Sequence, residues 1–188
     1  YDLALSELDG GYIIQSGTKS GQEIMAQLSL SSASTQQIEQ SAMEIRQAGE
    51  QQQRQLPSTK LKDALFANLD HPRWNDIAER CLSCGNCTSV CPTCFCYSES
   101  DDAALDGTSS QHLREWDSCF NQGHSYIHGA TIREDTRLRY RQWLTHKLGS
   151  WHEQYGRSGC VGCGRCVTWC PVGIDITEEA TIICGGKT

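Results

Sequence analysis

Cys81-Leu82-Ser83-Cys84-Gly85-Asn86-Cys87-Thr88-Ser89-Val90-Cys91-Pro92 returns 79 positions later as Cys160-Val161-Gly162-Cys163-Gly164-Arg165-Cys166-Val167-Thr168-Trp169-Cys170-Pro171. In each copy three cysteines stand at three-residue intervals, and a fourth follows with proline directly behind it. Eight of the twelve cysteines belong to this repeat. Secreted disulfide frameworks are typically shorter and lack a regular triplet. Structural zinc usually draws on two separated cysteine pairs. The repeat therefore reads as metal ligation by thiolates, in a reducing compartment where thiols stay available; the expected location is the cytoplasm.

The spacing C-x2-C-x2-C-x3-C-P is that of bacterial iron–sulfur ferredoxins. Thiolate is a soft ligand suited to such clusters. Three evenly spaced cysteines wrap three corners of a cube while the fourth leaves in another direction. Pro92 and Pro171 fix φ behind that ligand and turn the chain away. Gly85, Gly162 and Gly164 allow backbone angles that aim nearby N–H groups at cluster sulfurs. Two [4Fe–4S] clusters are the expected cofactors, with Cys81, Cys84, Cys87, Cys91, Cys160, Cys163, Cys166 and Cys170 as ligands. In two-cluster ferredoxins the fourth cysteine of each run serves the other cluster. Carried over, this puts Cys170 with Cys81, Cys84 and Cys87, and Cys91 with Cys160, Cys163 and Cys166.

Outward from the repeat the fold class reads as mainly α with small β-hairpins. Residues 1–16 form a hairpin across Asp9-Gly10-Gly11. Ser20 and Glu23 have capping-box spacing before a short helix ending near Leu28. A Ser-rich linker leads to a Gln-rich helix from Ser34 to Gln55, with Ile38, Ala42 and Ile45 on one stripe. A helix from Ser58 to about Leu69 stacks Leu61, Leu65 and Leu69; His71-Pro72 breaks it, and Trp74 to Arg80 delivers the chain to Cys81. Between the runs lie two strands, 95–99 and 111–116, and then a long helix to Tyr155 opened by Thr131 and Glu134. Thr177 caps a last helix before Gly185-Gly186 frays. The domains expected are 1–28, 29–56 (linker and connector helix) and 57–188 (the cluster domain).

Composition narrows the function classes. A net charge of -7 argues against nucleic acid. The mean hydropathy is -0.50 and no apolar run approaches the roughly 20 residues of a membrane span. No secretory signal opens the chain, and because it starts on Tyr1 it is read as a fragment, a processed form or the ordered part of something longer. No Gly-x-Gly-x-x-Gly, P-loop or nucleophile elbow occurs, so no flavin or nucleotide is expected on this chain alone.

Cys91-Pro92-Thr93-Cys94-Phe95-Cys96, Arg114-Glu115-Trp116-Asp117-Ser118-Cys119, Arg139-Tyr140-Arg141, His146-Lys147 and Gly162-Cys163-Gly164-Arg165-Cys166 follow in order. With them the chain resembles the dicluster ferredoxin domain found in sulfhydrogenase (cytosolic NiFe hydrogenase) beta subunits and in the corresponding iron–sulfur component of anaerobic sulfite reductase, over roughly residues 57–178. The resemblance implies a helical-ferredoxin-type domain, with residues 1–28 as the tail of a mixed α/β domain whose remainder is missing. It also implies a non-catalytic relay role, passing electrons from or to a flavin-containing NAD(P)H-linked subunit on one side and a catalytic oxidoreductase subunit on the other. Two other classes stand beside it: an Fe–S subunit of a respiratory or glycolate-oxidase-type flavoenzyme, and a redox-sensing or structural Fe–S protein. Neither a plant-type [2Fe–2S] run, a Cys-Cys-Gly segment nor a DNA-binding motif is present to favour them.

Three cysteines outside the runs, Cys94, Cys96 and Cys119, would supply a third metal centre if Cys-x-Cys sat on a strand facing Cys119. Asp117, His124, His128 or Cys184 would be the fourth ligand. No fourth ligand stands at a diagnostic spacing, and free cysteine is often a small buried hydrophobe; that second reading is preferred. Arg133, Arg137, Arg139, Arg141 and Lys147 make part of the 131–155 helix basic, read as a solvated face in preference to a docking surface.

Overall fold

Asp9-Gly10 separates two alternating runs, and in the computed structural model they pair as an antiparallel hairpin. Strand β1 (Leu3–Leu8) meets β2 (Gly11–Ser16) in the register Leu3↔Ser16 to Leu8↔Gly11. The structure describes residues 1–57 and 60–185, in two units, Tyr1–Arg54 and Gln55–Thr188.

In the first unit, helix α1 (Lys19–Ala26) is capped by Thr18, whose hydroxyl accepts the Gly21 N–H at 3.1 Å. The expected Ser20–Glu23 box does not form, because Ser20 already lies inside the first turn. Gly21 passes so close to the Asp2 carbonyl that a Cβ would lie 2.0 Å from it, which fixes glycine there. Helix α2 (Thr35–Glu50) has a full capping box between Ser34 and Gln37 and packs on the hairpin. The expected stripe does not face inward: Ile38 and Ile45 stay exposed, and Ser41 is the buried residue of α2.

The second unit begins with α3 (Leu61–Ala67); the expected start at Ser58 lies outside the described residues. Leu65 is fully buried. Pro72 caps α4 (Arg73–Arg80), as its fixed φ and missing N–H suit a helix start. A one-turn helix, α5 (Asn86–Ser89), follows Gly85. Strands β3 (Tyr97–Ala103) and β4 (Ser110–Trp116) form a hairpin exposed along its whole length. A two-residue ladder, β5 (Tyr126–Ile127) with β6 (Ala130–Thr131), comes next.

Thr131 therefore sits in a strand, not at a helix start. Helix α6 (Thr136–Thr145) opens instead at Asp135, whose carboxylate accepts the Leu138 N–H at 2.7 Å. The expected continuous helix to Tyr155 is interrupted by a π turn at His146–Ser150 before α7 (Trp151–Tyr155). That wider turn leaves Lys147, Leu148 and Gly149 all buried. A one-turn α8 (Arg165–Thr168) and then α9 (Ile176–Ile183) complete the chain; Asp175, not Thr177, caps α9. Gly186, expected to fray, lies outside the described residues.

The core gathers Leu65, Trp74, Ile77, Phe120, Tyr140, Trp143, Leu144, Leu148, Ile174, Ile176, Ala180 and Ile183, with cysteines of both runs packed against it. Among the described residues no helix is long and apolar enough to cross a membrane.

Candidate metal centres

The two cysteine runs fold alike. Ser83 (φ +51°) and Gly85 (φ +75°) adopt the left-handed region in the first run, as Gly162 (+69°) and Gly164 (+70°) do in the second. Gly85 and Gly164 each open a one-turn helix carrying the third cysteine, Cys87 on α5 and Cys166 on α8. Ser83 is held in its strained position by its hydroxyl, which lies 2.9 Å from Thr136 Oγ1 and accepts from Arg139 Nη2 at 3.3 Å. Helix α4 ends directly on Cys81.

Each fourth cysteine lies near the triplet of the other run. Cys81, Cys84, Cys87 and Cys170 line one hollow together with Cys166, and it is walled by Phe120, Tyr140, Trp143, Ile174 and Ile176. Burial raises the Cys87 thiol pKa, and the neighbouring thiols of Cys81, Cys166, Cys84 and Cys170 push it further. Burial likewise pushes Cys166 up to about 11, helped by Cys160, Cys91 and Cys163. Each fourth cysteine is thus among the charges felt by the opposite triplet. Thiols held protonated in this way must lose protons as metal enters.

Cys91 differs from the rest. A hydrogen bond from Cys94 draws its pKa down to about 4 against the effect of burial, with Thr93 and the charge of Lys147 contributing. Lys147 reaches inward from the π turn, its Nζ 3.3 Å from Cys91 Sγ, 3.0 Å from Thr93 Oγ1 and 3.3 Å from the Gly159 carbonyl.

Two observations bear on whether these thiols suit an iron–sulfur group. Eight soft thiolates in two sets of four match its ligand demand. In addition, Tyr140 Oη and Trp143 Nε1 are buried without a hydrogen-bond partner among the described residues, and both residues line the Cys81 hollow. Buried donors left unpaired are costly, and inorganic sulfide is an acceptor they lack. The residues fit the group.

Behind Cys81 stands a buried ion cluster. Glu179 on α9 is fully buried and accepts from Arg73 Nε at 2.6 Å and Arg80 Nη2 at 2.6 Å, both on α4. It ties the helix that ends on Cys81 to the helix that follows Cys170.

The 4Fe-4S dicluster domain family matches residues 80–174, which is half of the chain and contains both runs. The chain belongs to this family. Sulfhydrogenase 2 subunit beta of Pyrococcus furiosus is 31% identical over 185 residues, 93% of this chain and 52% of that protein. Protein RdxA of Cereibacter sphaeroides is 37% identical over 59 residues, 31% of this chain and 12% of its own length. The chain thus spans about half of the first relative and a small part of the second. No solved structure shows significant similarity to it.

Within the dicluster domain the remaining cysteines separate. Cys94 pairs with Cys91. Cys96 and Cys119 lie at the base of the β3–β4 hairpin, outside both strands, and approach His124. His128 is in the β5–β6 turn with φ +49°, and Cys184 packs against the core at the end of α9. The basic stretch is not a solvated face: Arg139 and Lys147 are buried, and Arg141 donates to the Leu69 carbonyl. Sequence reasoning missed Lys147, Glu179, Tyr140 and Trp143 as parts of the site. Glu179 carried a signal, since an acid between Glu178 and Ala180 on a short apolar helix invites a buried partner. Lys147 stood in the His146-Lys147 motif of the resemblance, but that motif gave it no role beside Cys91, where the π turn places it.

Proposed function

We propose that this chain holds two [4Fe–4S] clusters and serves as an electron relay in a cytoplasmic oxidoreductase complex. Cys81, Cys84, Cys87 and Cys170 hold one cluster, and Cys160, Cys163, Cys166 and Cys91 the other. What supports the reading is that each run's fourth cysteine lies among the thiols of the opposite triplet. Such a cluster, when bound, takes up and returns one electron at a time. The chain's residues fix position, exclude water with the Phe120–Tyr140–Trp143 wall, and place charge through Lys147.

With four thiolates in each set, no iron is left open to substrate, so catalysis belongs to partner subunits. The sulfhydrogenase relative is named as a beta subunit. The proposed partners here are a flavin-containing NAD(P)H-linked subunit, together with a catalytic subunit for hydrogen or a sulfur oxyanion. Residues 1–28 are proposed as the tail of a larger α/β domain, supported by exposed apolar side chains at Leu5, Tyr12, Ile24 and Leu28.

The test is anaerobic purification with metal analysis and spectroscopy. About eight iron atoms per chain are expected, with matching acid-labile sulfide. The chain should take electrons from dithionite and give them to a dye, yet turn over neither hydrogen, sulfite nor NAD(P)H without partners. Cys91→Ser should alter the cluster of Cys160, Cys163 and Cys166 and spare the other. Substrate turnover by the purified chain would overturn the relay, and damage to the Cys81 cluster by Cys91→Ser would overturn the crossing.

A further inference from the structure

At the base of the exposed hairpin, the Asp117 N–H donates to the Cys96 carbonyl at 3.0 Å and closes the two strands' flanks just beyond β3 and β4. This brings Cys96 opposite Cys119. The 3-10 turn Gln122–Ser125 then carries His124 back over the pair. One ligand atom from each of Cys96, Cys119 and His124 lies within 4.8 Å of the other two. His124 Nδ1 is 2.6 Å from Asp117 Oδ2, and these two side chains are only 22% and 13% exposed.

We propose that Cys96, Cys119 and His124 bind a single divalent ion of the zinc class, separate from the two clusters and independent of the relay reading. Three features of the geometry select this chemistry. Zinc takes sulfur at about 2.3 Å and nitrogen at about 2.0–2.1 Å in a tetrahedron, which sets ligand atoms about 3.5–3.8 Å apart. The trio's ligand atoms, within 4.8 Å of one another, lie at most about 1 Å beyond that spacing. A four-iron cube holds its thiolates farther apart, and among the described residues no three cysteines of the two runs close to within 4.8 Å.

The second feature is the carboxylate behind the histidine. Asp117 occupies Nδ1, which fixes the ring and leaves Nε2 to coordinate; metal-binding histidines are almost always oriented by such a partner. Asp117 is itself held, accepting from the Ser118 N–H at 2.7 Å and from Asn121 Nδ2. The third is the fourth position. Cys94 is engaged with Cys91, so it is not the fourth ligand. Cys96 and Cys119 instead border a cavity of about 180 Å³, with room for a water ligand. The ion would staple the foot of the hairpin to the turn that leads into β5, beside the Thr88–Ser118 hydroxyl pair under the first cysteine run.

The test uses the full chain, purified anaerobically with its iron intact. About one zinc per chain is expected, and X-ray absorption at the zinc edge should show two sulfurs at about 2.3 Å and one nitrogen at about 2.0–2.1 Å. Cys119→Ser and His124→Gln should lose the zinc with iron content unchanged. Asp117→Asn should shed zinc to a chelator about 10-fold more readily. Zinc content near zero in the parent protein would overturn the proposal. So would an all-sulfur zinc shell, a Cys96–Cys119 disulfide, or iron above the level of two clusters that disappears with Cys119→Ser. The spectrum of the unmutated protein decides the matter even if a variant fails to fold.

Discussion

On the proposed ligation, Lys147→Met should make the cluster of Cys91, Cys160, Cys163 and Cys166 harder to reduce. Lys147 is 4% exposed, with its ammonium 3.3 Å from Cys91 Sγ. Burial works against its charge, but the thiols of Cys94 and Cys91 outweigh that and hold its pKa above the ordinary lysine value. It therefore stays positive across the working range. A fixed positive charge beside a ligand sulfur favours the form carrying one more electron. A hydrogen bond to a charged group contributes about 1.5–3 kcal/mol. For a one-electron couple about 1.4 kcal/mol corresponds to about 59 mV. If the reduced cluster takes most of that gain, the potential should fall by about 60 to 120 mV.

Methionine suits the test because it fills a similar volume, and Thr93 Oγ1 still donates to the Gly159 carbonyl at 2.6 Å, so that acceptor keeps a partner. A redox titration followed by electron paramagnetic resonance reads the two clusters separately. The Cys81 cluster should move far less, and Lys147→Arg should restore most of the shift. A change below about 20 mV, a change of opposite sign, or equal movement of both clusters would refute the reasoning.

Glu179→Ala should leave Arg73 and Arg80 without their buried counter-charge and cost about 3–5 kcal/mol, discounted towards the lower end because Arg80 is 41% exposed. Thermal bleaching of the visible absorbance should then come roughly 10 °C earlier; an unchanged transition would show that the ion cluster contributes nothing. Tyr140→Phe removes an unpaired buried donor from the Cys81 hollow and should lower that cluster's potential by tens of mV at about unchanged stability. A potential equal to the parent's would mean that the phenol does not face the cluster.

The dicluster domain was legible because cysteine spacing is a local property, readable whatever surrounds it. Helices α4 and α9 were legible for the same reason, each set by a short apolar period and a stop. The caps were less so. Thr18, Asp135 and Asp175 each won over a serine or threonine at plausible spacing, because the residue that caps must be extended while its neighbours already turn. The break in the long helix was invisible, since Thr145 to Trp151 contains no proline, and a π turn costs little where it buries Leu148 and places Gly149 against Phe66. The metal trio was half visible. Cys96, Cys119 and His124 all stood among the candidates, but Cys96 and His124 are 28 positions apart, and only the hairpin's register brings the three together.

The repeat alone would make two nearly identical sites, since the two runs share backbone angles, helix starts and proline exits. What distinguishes them comes from the segment between the runs. Residues 92–159 contribute Phe120, Tyr140 and Trp143 to the wall of the Cys81 hollow, and Lys147 to Cys91 alone. On the proposed ligation, one cluster is surrounded by aromatic rings with two unpaired donors, and the other has a buried cation on a ligand sulfur. Donors and cations near a ligand sulfur both raise a potential, and Arg139 adds a buried cation near Cys81. On that ligation the insertion tunes the two sites by different means, with aromatic rings and unpaired donors at one and Lys147 at the other.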